Sequence, residues 1–73
     1  MINRFRVKVN NTVKQFKELN EATFYIDKLE RLGYNAELYF VTMGIYEEHS
    51  YFIYSTLERS NIKANLNRLG ITV

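Results

Sequence analysis

Asn3-Arg4-Phe5-Arg6-Val7-Lys8-Val9-Asn10-Asn11-Thr12-Val13-Lys14-Gln15-Phe16 is the stretch whose reading decides how this chain begins to fold. Phe5, Val7 and Val9 alternate with Arg4, Arg6 and Lys8. Side chains two apart on an extended chain share a face, so the segment reads as a strand with one buried side. Asn10-Asn11 supplies the turn, because asparagine tolerates the positive φ that a two-residue hairpin loop requires. A second strand over Thr12 to Glu18 then folds straight back. Val9 faces Thr12, Val7 faces Lys14 and Phe5 faces Phe16 in that register. It gathers the phenylalanines on one face and Arg4, Arg6, Lys8 and Lys17 on the other.

A helix follows, capped by Asn20 and running to about Leu32. Ala22, Tyr25, Ile26, Leu29 and Leu32 recur at helical spacing and make one apolar stripe. Leu19 and Phe24 stand at the spacing of a hydrophobic staple. Glu21 and Arg31 suit the two ends of the helix dipole, and Gly33 supplies the left-handed residue that stops it. From Ala36 to Met43 and from Ser50 to Ser55 the chain is rich in Tyr, Phe, Val and Ile and reads as a second pair of strands. Gly44 to His49 connects them. Ser55-Thr56-Leu57-Glu58 has the form of a capping box and is expected to open a helix that carries Ile62, Leu66 and Leu69 and stops at Gly70. Ile71 to Val73 is expected to form a short tail strand or an apolar contact beyond the cap.

The order is ββαββα. Leu29-Glu30-Arg31-Leu32-Gly33 returns as Leu66-Asn67-Arg68-Leu69-Gly70, each after a hairpin. The expected fold is a single α+β domain over residues 1–73. It is a pseudo-duplicated two-layer sandwich, with two helices on one face of a four-stranded, mainly antiparallel sheet. Helices ending in Leu-Gly are common enough to produce such an echo without duplication.

Composition bounds what so short a chain can do. At 73 residues it buries only about 60% of the surface its unfolded form exposes. Domains of this size lean on disulfides, a metal or oligomerisation. The absence of cysteine excludes disulfides, thiolate zinc sites and cysteine nucleophiles together, which leaves oligomerisation. Apolar residues at 47% and aromatics at 15% indicate a folded chain. No apolar run approaches the roughly 18 residues of a membrane span. No signal-peptide pattern follows Met1, so a cytoplasmic protein with no membrane partner is expected. Richness in Asn, Tyr, Ile and Lys fits an AT-rich genome, as in low-GC bacteria and their phages or plasmids. The net charge of +2 lies far from that of a protein that coats DNA.

The second hairpin is apolar on both faces. Strict alternation groups Leu38, Phe40, Phe52 and Tyr54 on one side, and Tyr39, Val41, Tyr51 and Ile53 on the other. Two helices on one side leave the second side open, where polar residues are the rule. Three readings compete. A few large side chains lie half exposed, which is ordinary. Or Tyr39, Val41, Tyr51 and Ile53 form a protein interface, to a second copy or to a different protein, because tyrosine-rich apolar patches characterise interface cores. Or the tyrosines stack on the bases of single-stranded nucleic acid while Arg4, Arg6, Lys8 and Lys17 hold its phosphates. Outward cations also guard edge strands against unwanted pairing.

Catalytic constellations are missing from the sequence. His49 is the only histidine. It stands beside Glu47 and Glu48 in an expected turn, where adjacent side chains point apart. The acids Glu18, Glu21, Asp27, Glu30, Glu37, Glu47, Glu48 and Glu58 scatter over expected surface positions, and no glycine-rich phosphate loop exists. A chain this short has little room for a pocket of a few hundred cubic ångströms. No enzymatic activity, cofactor, metal or small-molecule substrate is expected.

Glu21-Ala22, Leu29 and Leu32-Gly33-Tyr34-Asn35-Ala36 together resemble the helix-to-strand step of SPOR-type peptidoglycan-binding domains. That resemblance implies two αβ repeats on one sheet. It ends at the first helix: a hairpin, not a single strand, precedes it, and the family's glycine-aromatic turn after the first strand is absent. The residues themselves lead to a non-enzymatic interaction protein, homodimeric or bound to a different protein, with single-stranded nucleic acid as the alternative ligand.

Overall fold

The alternation read at the N-terminus forms β1 (Asn3–Val9) and β2 (Thr12–Phe16) in the computed structural model, which describes residues 3–59 and 61–71. Their antiparallel register matches the expected one, with Phe5 opposite Phe16, Val7 opposite Lys14 and Val9 opposite Thr12. Asn10 takes the turn at φ 53°. Lys14 lies on the apolar face yet stays solvated, reaching to 4.9 Å from the Tyr25 ring centre and 5.7 Å from that of Phe16. Its stem covers apolar surface while its ammonium rests over aromatic faces. β2 stops at Phe16, short of the expected Glu18.

The first helix, α1 (Leu19–Arg31), begins earlier than the sequence indicates. Glu18 is the N-cap instead of Asn20, and its N–H donates to Glu21 Oε1 at 3.3 Å. The Leu19–Phe24 staple does not form. Leu19 packs on the core, but Phe24 points outward and is 73% exposed, because it lies on the opposite side of the helix from Ala22, Ile26 and Leu29. Leu32 is likewise exposed and serves as the C-cap. Gly33 at φ 90° lets its own N–H reach the Glu30 carbonyl and lets the Tyr34 N–H reach that of Leu29. These are the paired bonds of a Schellman ending.

β3 (Ala36–Met43) and β4 (Glu48–Ser55) form the second hairpin. The sheet order is β2-β1-β3-β4 and every neighbouring pair is antiparallel. At the far end of β4 the expected helix start becomes a single turn. The Ser55 hydroxyl accepts from the Leu57 N–H, the Ser55 carbonyl accepts from the Arg59 N–H, and Arg59 ends the turn at φ 52°. Thr56 is tied to the start of β3: its Oγ1 accepts from the Ala36 N–H at 3.0 Å, and its own N–H donates to the Ala36 carbonyl. The second helix, α2 (Ile62–Arg68), starts only after Asn61, whose side chain accepts from the Ala64 N–H at 3.0 Å. It ends on Gly70 with the same bond pattern as α1, the Ile71 N–H reaching the Leu66 carbonyl. Ile71 packs on the core. Thr72 and Val73, the rest of the expected tail strand, lie outside the described residues.

Both helices cover one face. Phe5, Val7 and Val9 of β1 and Ala36, Leu38 and Phe40 of β3 meet Ala22, Ile26 and Leu29 of α1 and Leu66 of α2 in one cluster. Burying each of the larger side chains contributes roughly 1.5–3 kcal/mol. β1 and β3 lie side by side at the centre, with a hairpin partner at each edge and a helix after each hairpin. This is the expected ββαββα sandwich, and among the described residues no helix or strand covers the other face of the sheet.

Candidate open-face interface

Where β4 meets β3, the two strands slip by one residue. Leu38 is opposite Tyr54, but Tyr39 is opposite Phe52, so Ile53 is an extra residue in β4. A bulge of this kind shifts which side chains share a face on either side of it. Ile53 turns into the core and has no exposed surface, held there by Asn65 of α2, whose Nδ2 donates to the Ile53 carbonyl at 2.6 Å. Tyr51, opposite Phe40, also lies on the helix side, on the edge strand, where it stays partly exposed. Phe52 moves the other way, onto the open face. Of the four residues grouped from the sequence, the structure brings Tyr39 and Val41 together on the open face and separates Tyr51 and Ile53 from them. Strict alternation fails here because of one inserted residue.

The open face is a mosaic. At its centre Tyr39 and Phe52 meet edge to face, with ring centres 5.8 Å apart, an arrangement worth about 0.5–1.5 kcal/mol beyond the buried area. The Tyr39 hydroxyl donates to Glu37 Oε1 at 3.3 Å. Partial burial, and then the Glu37 charge and this hydrogen bond, raise the phenol above its ordinary pKa of 10.0. It therefore stays a neutral donor throughout the neutral range. Val41 is fully buried although no helix lies on this side. Its cover is a strap of side chains. Arg6 on β1, opposite Tyr39, reaches to Glu48 on β4, opposite Met43, and the line between them crosses β3 at Val41. The two oxygens of Glu48 accept from Arg6 Nη1 at 2.8 Å and Nη2 at 3.1 Å. That bidentate bond, more than the charges of Arg6 and Arg4, lowers the Glu48 carboxyl below its ordinary value.

The strap alters the reading of the cations. Arg4, Arg6 and Lys8 lie on the open side of the first hairpin, as the register requires, whereas Lys17 falls beyond the end of β2 and outside that register. They are not without counterweight: Arg6 is engaged by Glu48, Glu37 stands opposite Lys8, and Arg4 Nη1 donates to Gln15 Oε1 at 2.8 Å. The acids that balance them come from the second hairpin, and nothing in the spacing of either hairpin announces that Glu48 lies two strands away from Arg6.

Other exposed features surround this face. Ile45 and Tyr46, at the tip of the second hairpin, are 91% and 96% exposed. The tip is closed by a bond from the Gly44 N–H to the Glu47 carbonyl. His49 Nε2 comes within 3.8 Å of Glu47 Oε1, with both side chains open to water. On the helix side, Phe16, Asn20, Glu21, Phe24, Tyr25 and Lys28 line an open groove of about 490 Å³, more room than the chain length led one to expect. Its acid, Glu21, is used in capping α1. Among the described residues no three acidic or histidine side chains come together in a way that could hold a metal ion, and no helix is long and apolar enough to cross a membrane. Comparison with models of protein families, with curated proteins and with solved structures finds no match to this chain.

Proposed function

We propose that this protein is a non-enzymatic binding module that docks onto another protein through the open face of its sheet. The observation that carries the reading is the Tyr39–Phe52 pair, two aromatic rings standing on a sheet face that no helix or strand covers among the described residues. Met43 extends the apolar surface along β3, and Arg4 and Lys8 provide a polar rim. An aromatic centre with charges at its margin is the pattern of an interface in which a few residues carry most of the binding energy. Tyr39 and Phe52 take the central role that the sequence assigned to Tyr39, Val41, Tyr51 and Ile53, and Val41 acts as the packed floor beneath the Arg6–Glu48 strap.

Single-stranded nucleic acid is the second reading, favoured by the same rings beside Arg4 and Lys8. Glu37 and Glu48 on the same face oppose it, since carboxylates next to the stacking platform repel phosphates. Salt separates the two. Captures from cell extract with the wild type and with Tyr39→Ser, at low and high ionic strength, are the test. A protein retained at high salt by the wild type and lost by Tyr39→Ser supports the module. A ligand that is nucleic acid, with affinity falling steeply as salt rises and lost in Arg4→Glu, overturns it.

A further inference from the structure

The two edges of the sheet differ in kind. β2 is five residues long and carries Lys14, with Lys17 following it. Lysines and short length are what keep an exposed edge from pairing with another strand. β4 is eight residues long, and Glu48-His49-Ser50-Tyr51-Phe52-Ile53-Tyr54-Ser55 contains no lysine, arginine or proline. The Ile53 carbonyl is closed off by Asn65 at the bulge. The segment Glu48–Phe52 remains as a regular strand whose outer backbone groups have no neighbouring strand among the described residues. We infer that β4 pairs antiparallel with β4 of a second copy across a two-fold axis near Ser50, joining two four-stranded sheets into one of eight strands.

Self-complementarity is what selects a second copy. Antiparallel pairing about Ser50 sets Glu48 opposite Phe52, so the two Glu48 side chains stand about 13 Å apart along the strands at roughly 3.3 Å per residue. A parallel pair would stack like charges. Pairing about this point also carries each hairpin tip past the axis, so that Ile45 and Tyr46, almost fully exposed in one copy, run alongside Ser55 and Tyr54 of the other. Ile45, Tyr46 and Tyr51 together present roughly 450 Å² per copy, taking about 150–250 Å² for a whole aromatic side chain. Both copies together then bury about 900 Å² of these side chains, before the paired strand backbones are counted, close to the roughly 1,000 Å² of a specific interface. A chain this short, without cysteine, gains from such a partner the stability that its own core supplies only sparingly. The open face lies perpendicular to this edge and remains available, so the dimer presents two copies of the Tyr39–Phe52 surface side by side.

The absence of native cysteine makes the test direct. Ser50→Cys should form a disulfide-linked dimer under mild oxidation, because paired residues on an axis bring their Cβ atoms to about 4.5–5.5 Å. Gln15→Cys on the β2 edge should not. Sedimentation equilibrium should give a dimer for the wild type and at least a tenfold weaker one for Ser50→Lys, which places two lysines face to face, with the circular dichroism spectrum unchanged. Tyr39→Ser should leave the dimer intact. A wild type that stays monomeric at every concentration, or a dimer broken by Tyr39→Ser and untouched by Ser50→Lys, overturns the pairing. The first outcome leaves the open-face reading standing, and the second makes the open face the self-interface.

Discussion

Replacing Ile53 and Phe52, one at a time, with alanine measures the bulge that decides which residues this protein shows to a partner. Ile53 has no exposed surface and belongs to the core with Leu38 and Leu66. Truncating a buried isoleucine to alanine costs about 2–5 kcal/mol, the lost transfer energy plus the cavity left behind. The whole stability of a chain of 73 residues is about 4–11 kcal/mol, so a loss near 3 kcal/mol is a large share of it. At about 4–8 °C per kcal/mol for a domain of this size, the melting temperature should fall by about 10–25 °C. Phe52, although larger, is 39% exposed on the open face and touches chiefly Tyr39. Its truncation should cost about 1–2 kcal/mol. Urea unfolding followed by far-ultraviolet circular dichroism, at one protein concentration for all variants, separates the two. If Phe52→Ala proves the more damaging, β4 alternates without a bulge and the face assignment is wrong.

Glu48 links the open face to pH. Its carboxyl titrates below the ordinary value of 4.5, held down chiefly by the hydrogen bonds from Arg6. The folded state therefore binds this proton less readily than the unfolded chain. The stabilisation is complete above the ordinary value and disappears as pH falls through the lowered one. Acid unfolding of Glu48→Gln should show a shallower slope over that range than the wild type, and identical slopes would remove the strap from the account. Asn61→Ala should lose about 1 kcal/mol through the lost cap of α2. Ser55→Ala should leave the length of that helix unchanged, which backbone chemical shifts would report.

Local signals carried most of the architecture. The alternation of Phe5, Val7 and Val9 with cations, and the tolerance of Asn10 for positive φ, were enough to set the first hairpin residue by residue. The Leu-Gly endings likewise marked where both helices stop. What escaped were features decided by tertiary competition. Ser55-Thr56-Leu57-Glu58 has the chemistry of a helix start, but Thr56 is claimed by Ala36 of β3, and the chain makes one turn before Asn61 caps the helix. Phe24 looked like a staple because spacing alone does not say where a helix begins. The open face was legible as a surplus of apolar side chains in the second hairpin. Its membership was not, because both sides of β4 carry aromatics and only the packing of Ile53 against α2 places the inserted residue.

Hydroxyl-radical footprinting of the wild type, free and with its captured partner, tests the central claim most directly. Tyr39, Met43 and Phe52 should be oxidised in the free protein and protected in the complex, while Phe24 and Leu32 on the helix side react equally in both. Protection confined to Phe24 and Leu32, with the open face as reactive as before, would contradict the account.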